Sequence, residues 1–197
     1  MTPQSFIFIG RSGCGKGTQA ELLMKVLAEK DPATAILRTE TGKELRQFIQ
    51  GNTWTAKKAK EIYDEGGLMP EFVIVNMWVK PLLEKYDGHQ HLIFDGTPRK
   101  VHEAGVLHSC VRFYGFTKPW VIHLDINAGE SAQRLLARKR FDDNDAEIKK
   151  RLEWYEAEVV PTIEYYRDNP DYTLLDIDGA RSREDIHADI VKKLGLE

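Results

Sequence analysis

Apolar residues in this chain gather in short runs, separated by longer stretches with a helical period. Runs at 6–9 (Phe6, Ile7, Phe8, Ile9), 35–37, 92–94, 121–124 and 172–175 read as strands. Helical patterns fill the intervals, beginning with 19–30, and one follows the last strand. Strands alternating with helices imply a parallel sheet with helices on both faces, an α/β fold of three layers. Ligands of such sheets sit at the carboxyl ends of the strands. Lys16, Asp95 and Asp125 fall near such ends.

Between 41 and 86 the pattern is helical, with no clear strand. This predicts one domain over 1–197, with a core of 1–40 and 87–197 and a helical insertion of 41–86 that could form a flap over the sheet's edge. There is no internal repeat or low-complexity tract. The charged stretch 134–151 is mixed in sign. Trp54, Trp78, Trp120 and Trp154 are expected in the core or in packing of the insertion.

Composition narrows the classes. A chain of 197 residues with 42% hydrophobic content can bury a real core. A net charge of -3 argues against a general nucleic-acid binder. Two cysteines, Cys14 and Cys110, are too few for a disulfide framework or a Cys-rich zinc site. The apolar run near the N-terminus is too short for a signal peptide or a membrane span. The expectation is a cytoplasmic protein with small-molecule partners, no nucleic acid and no membrane. It is expected to be monomeric, with an oligomer left open.

Candidate chemistry starts after the first strand. Gly10-Arg11-Ser12-Gly13-Cys14-Gly15-Lys16-Gly17-Thr18 is a glycine-rich loop between a strand and a helix. In that context, G-x-x-x-x-G-K turns backbone N–H groups toward a nucleotide's phosphates, and Lys16 adds a positive charge. The general motif places Ser or Thr directly after the lysine, where its hydroxyl meets magnesium. Here Gly17 takes that place, and Thr18 follows. A second segment, Thr41-Gly42-Lys43-Glu44-Leu45-Arg46, reads as a helix start with Arg46 on the inner side. An N-cap threonine followed by a solvated arginine is the simpler reading. Gly66-Gly67-Leu68-Met69-Pro70 reads as a helix stop and a helix start. Asp95-Gly96-Thr97-Pro98-Arg99 turns at a strand end, where an aspartate can hold magnesium's water shell. Arg134 and Arg138 share a helix face, and Arg140 and Arg151 follow.

Together and in this order, these segments resemble the adenylate kinase and nucleoside-monophosphate kinase family over nearly the whole chain. The resemblance implies a P-loop fold with a five-stranded parallel sheet, an NMP-binding insertion and a minimal lid around 138–142. It implies reversible transfer of the γ-phosphoryl of ATP, with Mg2+, to AMP. Lys16, Arg99, Arg138, Arg140 and Arg151 would be catalytic. Gly13, Cys14, Gly15, Lys16, Gly17, Thr18, Arg134, Arg138, Ala180 and Arg181 would bind ATP. Thr41, Gly42, Arg46, Gly67, Leu68, Met69, Gly96, Thr97, Pro98, Arg99, Glu103, Arg140 and Arg151 would bind AMP. Asp95 would hold magnesium through water.

Several positions depart from the family's pattern. Arg11 and Ser12 stand where small residues and proline are usual. Only Lys139 separates the arginines that flank the lid loop in relatives, so a zinc-binding lid is ruled out. Glu103 takes the place of the glutamine that pairs with the AMP base. An ionised carboxylate offers only acceptors, which suits guanine's two donors better than adenine's donor and acceptor. Alternatively, Glu103 points to solvent. A kinase for another monophosphate, GMP first, is therefore the second reading. A P-loop switch that signals by shape is the third.

Overall fold

The computed structural model describes residues 2–138 and 144–197. Five strands, β1 (Ser5–Gly10), β2 (Ile36–Glu40), β3 (His91–Asp95), β4 (Trp120–Asp125) and β5 (Thr173–Asp178), form one sheet in the order β2-β3-β1-β4-β5. Every pairing is parallel. The sequence order reverses at β1, which lies between β3 and β4. A crevice for ligands therefore opens beyond its carboxyl end.

Each central strand is buried on both faces, which is why it reads as an unbroken apolar run. Phe6 and Phe8 face one core, and Ile7 and Ile9 face the other. The first core is closed by α1 (Lys16–Lys30) and α9 (Arg183–Lys193) through Leu23, Leu27, Ile186 and Ile190. The second is closed by α4 (Glu71–Lys85), α5 (Val101–Phe113) and α8 (Val160–Arg167) through Trp78, Leu107 and Tyr166. Between β2 and β3 the chain forms only helices: α2 (Thr41–Phe48), α3 (Trp54–Asp64) and α4. Trp78 is wholly buried and meets Phe94 edge-on at 5.9 Å. Trp54, expected in packing, is instead 74% exposed at the first position of α3. An N-terminal helical residue there has no neighbour to cover it.

The outer strands are longer than their apolar runs. β2 continues through Arg38 and Glu40, which pair in register with Ile93 and Asp95. β5 continues through Asp176 and Asp178, which pair with His123 and Asp125. Both are edge strands, so backbone pairing with one neighbour holds them even where their residues are polar.

After α6 (Ala128–Arg138), the chain resumes with α7 (Asp145–Trp154), which runs through a π-helical turn at Tyr155–Val159 into α8. Pro161 lacks an N–H and its ring would strike the carbonyl four residues back, which accounts for the widened turn. Thr162 Oγ1 donates to the Glu158 carbonyl at 2.8 Å. The turn places Tyr155 against β4, its hydroxyl 3.2 Å from His123 Nε2. His123 Nδ1 lies 2.8 Å from Asp176 Oδ1, and Arg167 donates to both Asp176 oxygens at 2.6 and 3.1 Å.

Arg167 brings the Asp176 carboxyl down from 3.8 to about 2. A depressed carboxyl stabilises the fold above its unfolded value and loses that contribution as pH falls through the folded one. Asp176→Asn is therefore expected to be less stable than the parent in urea near neutral pH, with the difference gone near pH 2, the folded value. A constant difference across that window would contradict the assignment.

Candidate active site

The loop after β1 is shaped by backbone approach. Gly10 has φ 145°, and a Cβ there would lie 2.5 Å from the Leu124 carbonyl oxygen. Only glycine lets β1 and β4 run this close at the crevice. Gly15, at φ 100°, is the left-handed residue from which α1 starts at Lys16. The helix thus begins a turn earlier than the apolar period suggests, and its N-terminus faces the loop. Lys16 Nζ donates to the carbonyls of Gly10 and Arg11, both at 2.8 Å, and approaches Cys14 Sγ at 3.5 Å. Cys14 is wholly buried in the core beneath the loop. Arg11 turns away from the crevice. Its Nε donates to the Ile126 carbonyl at 2.9 Å, its Nη2 meets Glu156 at 2.5 Å, and its guanidinium lies 3.9 Å from the Tyr155 ring centre.

A cavity of about 440 Å³ opens at the carboxyl end of β1. Gly13, Gly15, Lys16, Gly17 and Thr18 line one side. Gly42 and Arg46 of α2 and the turn at Gly67, Leu68 and Met69 line another. Thr41 is the first residue of α2 and is buried, while Glu40 holds the N-cap position. The N-cap reading of Thr41 is thereby corrected: β2 runs straight into the helix, so the residue before Thr41 caps it. Gly66 ends α3 at φ 65° and packs against Glu147 of α7, and Lys150 donates to the Glu65 carbonyl.

Asp95, Gly96 and Arg99 come to the cavity from the end of β3. The Thr97–Pro98 peptide is cis, Thr97 is buried, and Pro98 lines a small adjoining cavity. Arg99 Nε donates to the Gly96 carbonyl at 3.1 Å. Glu103 is 2% exposed and lines the cavity, so the solvent-facing alternative is corrected. The Arg99 backbone N–H donates to Glu103 Oε2 at 2.7 Å, which turns the carboxyl inward at the first turn of α5. Burial pushes this carboxyl up, against the pull of the Arg99 N–H and charge.

Arg134 and Arg138 of α6 and Arg151 of α7 complete the wall. Arg134 pairs with Glu130 and donates to the Gly179 carbonyl at 2.8 Å, tying α6 to the turn after β5. Ala180 and Arg181 lie in that turn but do not line this cavity. The Ala180 N–H donates to Asp178, and Arg181 reaches Asp189 at 2.6 Å. Arg140 and Lys139 lie outside the described residues, as does the expected lid beyond Arg138.

Sequence reasoning missed Glu21, Arg38, Glu40, Lys43, Tyr63 and Trp154, all of which line the cavity. All but Lys43, which falls within the Thr41–Arg46 segment, sit outside the motifs, and the fold brings them there. Among the described residues, eight cations line the cavity (Lys16, Arg38, Lys43, Arg46, Arg99, Arg134, Arg138, Arg151) against four carboxylates (Glu21, Glu40, Asp95, Glu103). That surplus, in a chain of net charge -3, marks a polyanion site. Burial draws the Arg99 guanidinium below its usual value, and nearby Arg151 adds to this, while Glu103 and Asp95 oppose it.

Comparison with known proteins agrees in family. A family model described as Adenylate kinase matches residues 8–170. Adenylate kinase 1 of Nostoc sp. is 35% identical over 189 residues, covering 96% of this chain and 97% of the relative. The adenylate kinase of Corynebacterium urealyticum is 34% identical over 180 residues, 91% of this chain and 93% of the relative. That of Thermoanaerobacter pseudethanolicus is 32% identical, covering 96% of this chain and 97% of the relative. Its alignment runs over 220 residues against a chain of 197, so that relative carries segments with no counterpart here.

Proposed function

The chain belongs to the adenylate kinase family, and from that premise we propose that the cavity at the end of β1 seats ATP beside AMP and moves the γ-phosphoryl reversibly between them, giving two ADP. The observation that carries this reading is the convergence of Lys16, Arg99, Arg138 and Arg151 on one cavity from four separate segments. Two polyanions must meet in line, and their repulsion is the main obstacle. Arginine forks hold phosphate oxygens in pairs and neutralise their charge. AMP's phosphate is already an anion at neutral pH, so no general base is needed.

In this reading the loop at 13–18, with Arg134, Arg138 and the turn at Ala180 and Arg181, holds ATP. The AMP phosphate lies with Arg46, Arg99, Arg140 and Arg151. The AMP base lies among Thr41, Gly67, Leu68, Met69 and Glu103, with Gly42, Gly96, Thr97 and Pro98 shaping the walls. The 41–86 helices close over the core of 1–40 and 87–197; the vestigial lid expected around 138–142 lies, past Arg138, outside the described residues. The extra segments of the Thermoanaerobacter relative are consistent with a shorter chain here. Magnesium bound with ATP would offset phosphate charge. Asp95 suits a metal held through water, since it reaches the cavity from a strand end. Among the described residues no group of three or more His, Cys, Asp or Glu could hold a metal directly. No described helix is long and apolar enough to cross a membrane. A monomer with two nucleotides as its partners completes the reading.

Buried Glu103 favours GMP as a second acceptor, because a carboxylate matches guanine's two donors. A coupled assay with ATP and each of AMP, GMP, CMP and UMP decides. AMP is expected to give the highest kcat/KM. ATP turnover independent of any acceptor would refute both kinase readings.

A further inference from the structure

Arg38 belongs to no phosphate-binding motif, yet it lies at the metal corner of the cavity. Its Nη2 donates to Asp95 Oδ2 at 2.6 Å and lies 3.5 Å from the Gly17 carbonyl. Glu40 approaches the guanidinium at 3.3 Å and Glu21 at 3.4 Å. The side chain is only 10% exposed. The placement follows from the fold. Arg38 and Glu40 share one face of edge strand β2, Glu40 is in register with Asp95, and Glu21 comes from α1.

Gly17 makes the room. A Cβ there would lie 3.3 Å from Arg38 Nη2 and 3.4 Å from Asp95 Oδ2. This is the position where the general P-loop carries the hydroxyl that meets magnesium. Here a permanent cation fills the neighbourhood instead.

We propose that Arg38 is a resident cation at the metal corner of the donor phosphate site, and that it lessens the dependence of ATP binding on magnesium. The proposal rests on the donor-site reading above. The sign follows from the charges. Without Arg38, three carboxylates would face the triphosphate, and a divalent cation would be needed to bridge them. With it, one of the three carboxylates is neutralised and the corner carries a fixed positive charge at the cavity wall. The same cation repels magnesium and attracts metal-free ATP, so both effects lower the preference for the metal complex.

The test is a binding cycle, read without turnover. The Kd of ATP is measured in excess EDTA and in excess Mg2+, for the parent and for Arg38→Gln, Arg38→Lys and Glu21→Gln. Arg38→Gln is expected to raise the preference for the magnesium complex by about tenfold or more. Arg38→Lys, which keeps the charge, should stay within about threefold of the parent. Glu21→Gln removes one carboxylate from a side chain that is 66% exposed, a change that folding tolerates, and should lower the preference. An equal loss for both forms of ATP in Arg38→Gln would overturn the proposal and leave Arg38 as a support for Asp95 alone. So would a preference unmoved by Glu21→Gln. A parent chain that binds neither form would overturn the donor-site reading itself, and this proposal with it.

Discussion

Arg99→Ala and Arg151→Ala are each expected to lower kcat/KM for ATP plus AMP by at least about 100-fold, or about 2.7 kcal/mol of transition-state stabilisation. The two guanidiniums line the same cavity from β3 and α7, and the charge of Arg151 helps draw Arg99 below its usual value. Like charges held this close are costly until a phosphate comes between them. The protein therefore stores electrostatic complementarity to two phosphate groups before either nucleotide arrives. Alanine at either position removes a fork that orients the reacting phosphates as well as a charge. Each loss also removes a favourable partner, since Arg151 Nη2 lies 3.5 Å from Glu147 Oε2 and Glu103 attracts Arg99, so folding has to be checked beside activity. Arg140→Ala is expected to match them on the strength of the family's pattern. Steady-state kinetics with melting temperatures as a control decide. A loss below about threefold at all three positions would end the reading of this cavity as a phosphoryl-transfer site.

Glu103→Gln is expected to improve the use of AMP at alkaline pH by about tenfold, within the 1–3 kcal/mol that a mismatched buried pair costs. Burial raises the Glu103 carboxyl, so the protonated form persists to higher pH than on an exposed glutamate. Protonated, it can donate to adenine N1 as an amide does; ionised, it can only accept. The sign is therefore fixed. In the parent, KM for AMP rises as pH climbs through the Glu103 value, whereas the glutamine variant lacks that rise. AMP's own phosphate also titrates, and the ratio of parent to variant cancels its contribution. A ratio flat with pH would show that Glu103 does not read the base. A parent that prefers GMP once Glu103 is ionised would instead support the second acceptor.

The central strands were legible because burial on both faces demands continuous apolar runs, as at Phe6 to Ile9. The edge strands were underread for the converse reason. Arg38, Glu40, Asp176 and Asp178 belong to strands by backbone pairing alone, and their polarity hides this. The phosphate loop was legible because its glycines answer a local demand, the left-handed turn at Gly15, whereas the close approach at Gly10 is to Leu124 of β4 and only the sheet reveals it. Trp54 was misplaced because an aromatic residue says nothing of whether a neighbour will cover it.

What the sequence determined by itself is the set of local motifs and the order of elements, since turn chemistry and hydrophobic period act over a few residues. What only the tertiary structure decided is which side chains from distant segments share one cavity. Arg38 meets Asp95 across 57 positions of chain, a juxtaposition no local pattern encodes. Glu103 meets Lys16, Arg46 and Arg151 of other segments around that same cavity, although its own anchor, the Arg99 N–H, is only four residues away. Charge and hydrogen bonding act through space, so their partners are chosen by the sheet and its crevice rather than by spacing along the chain.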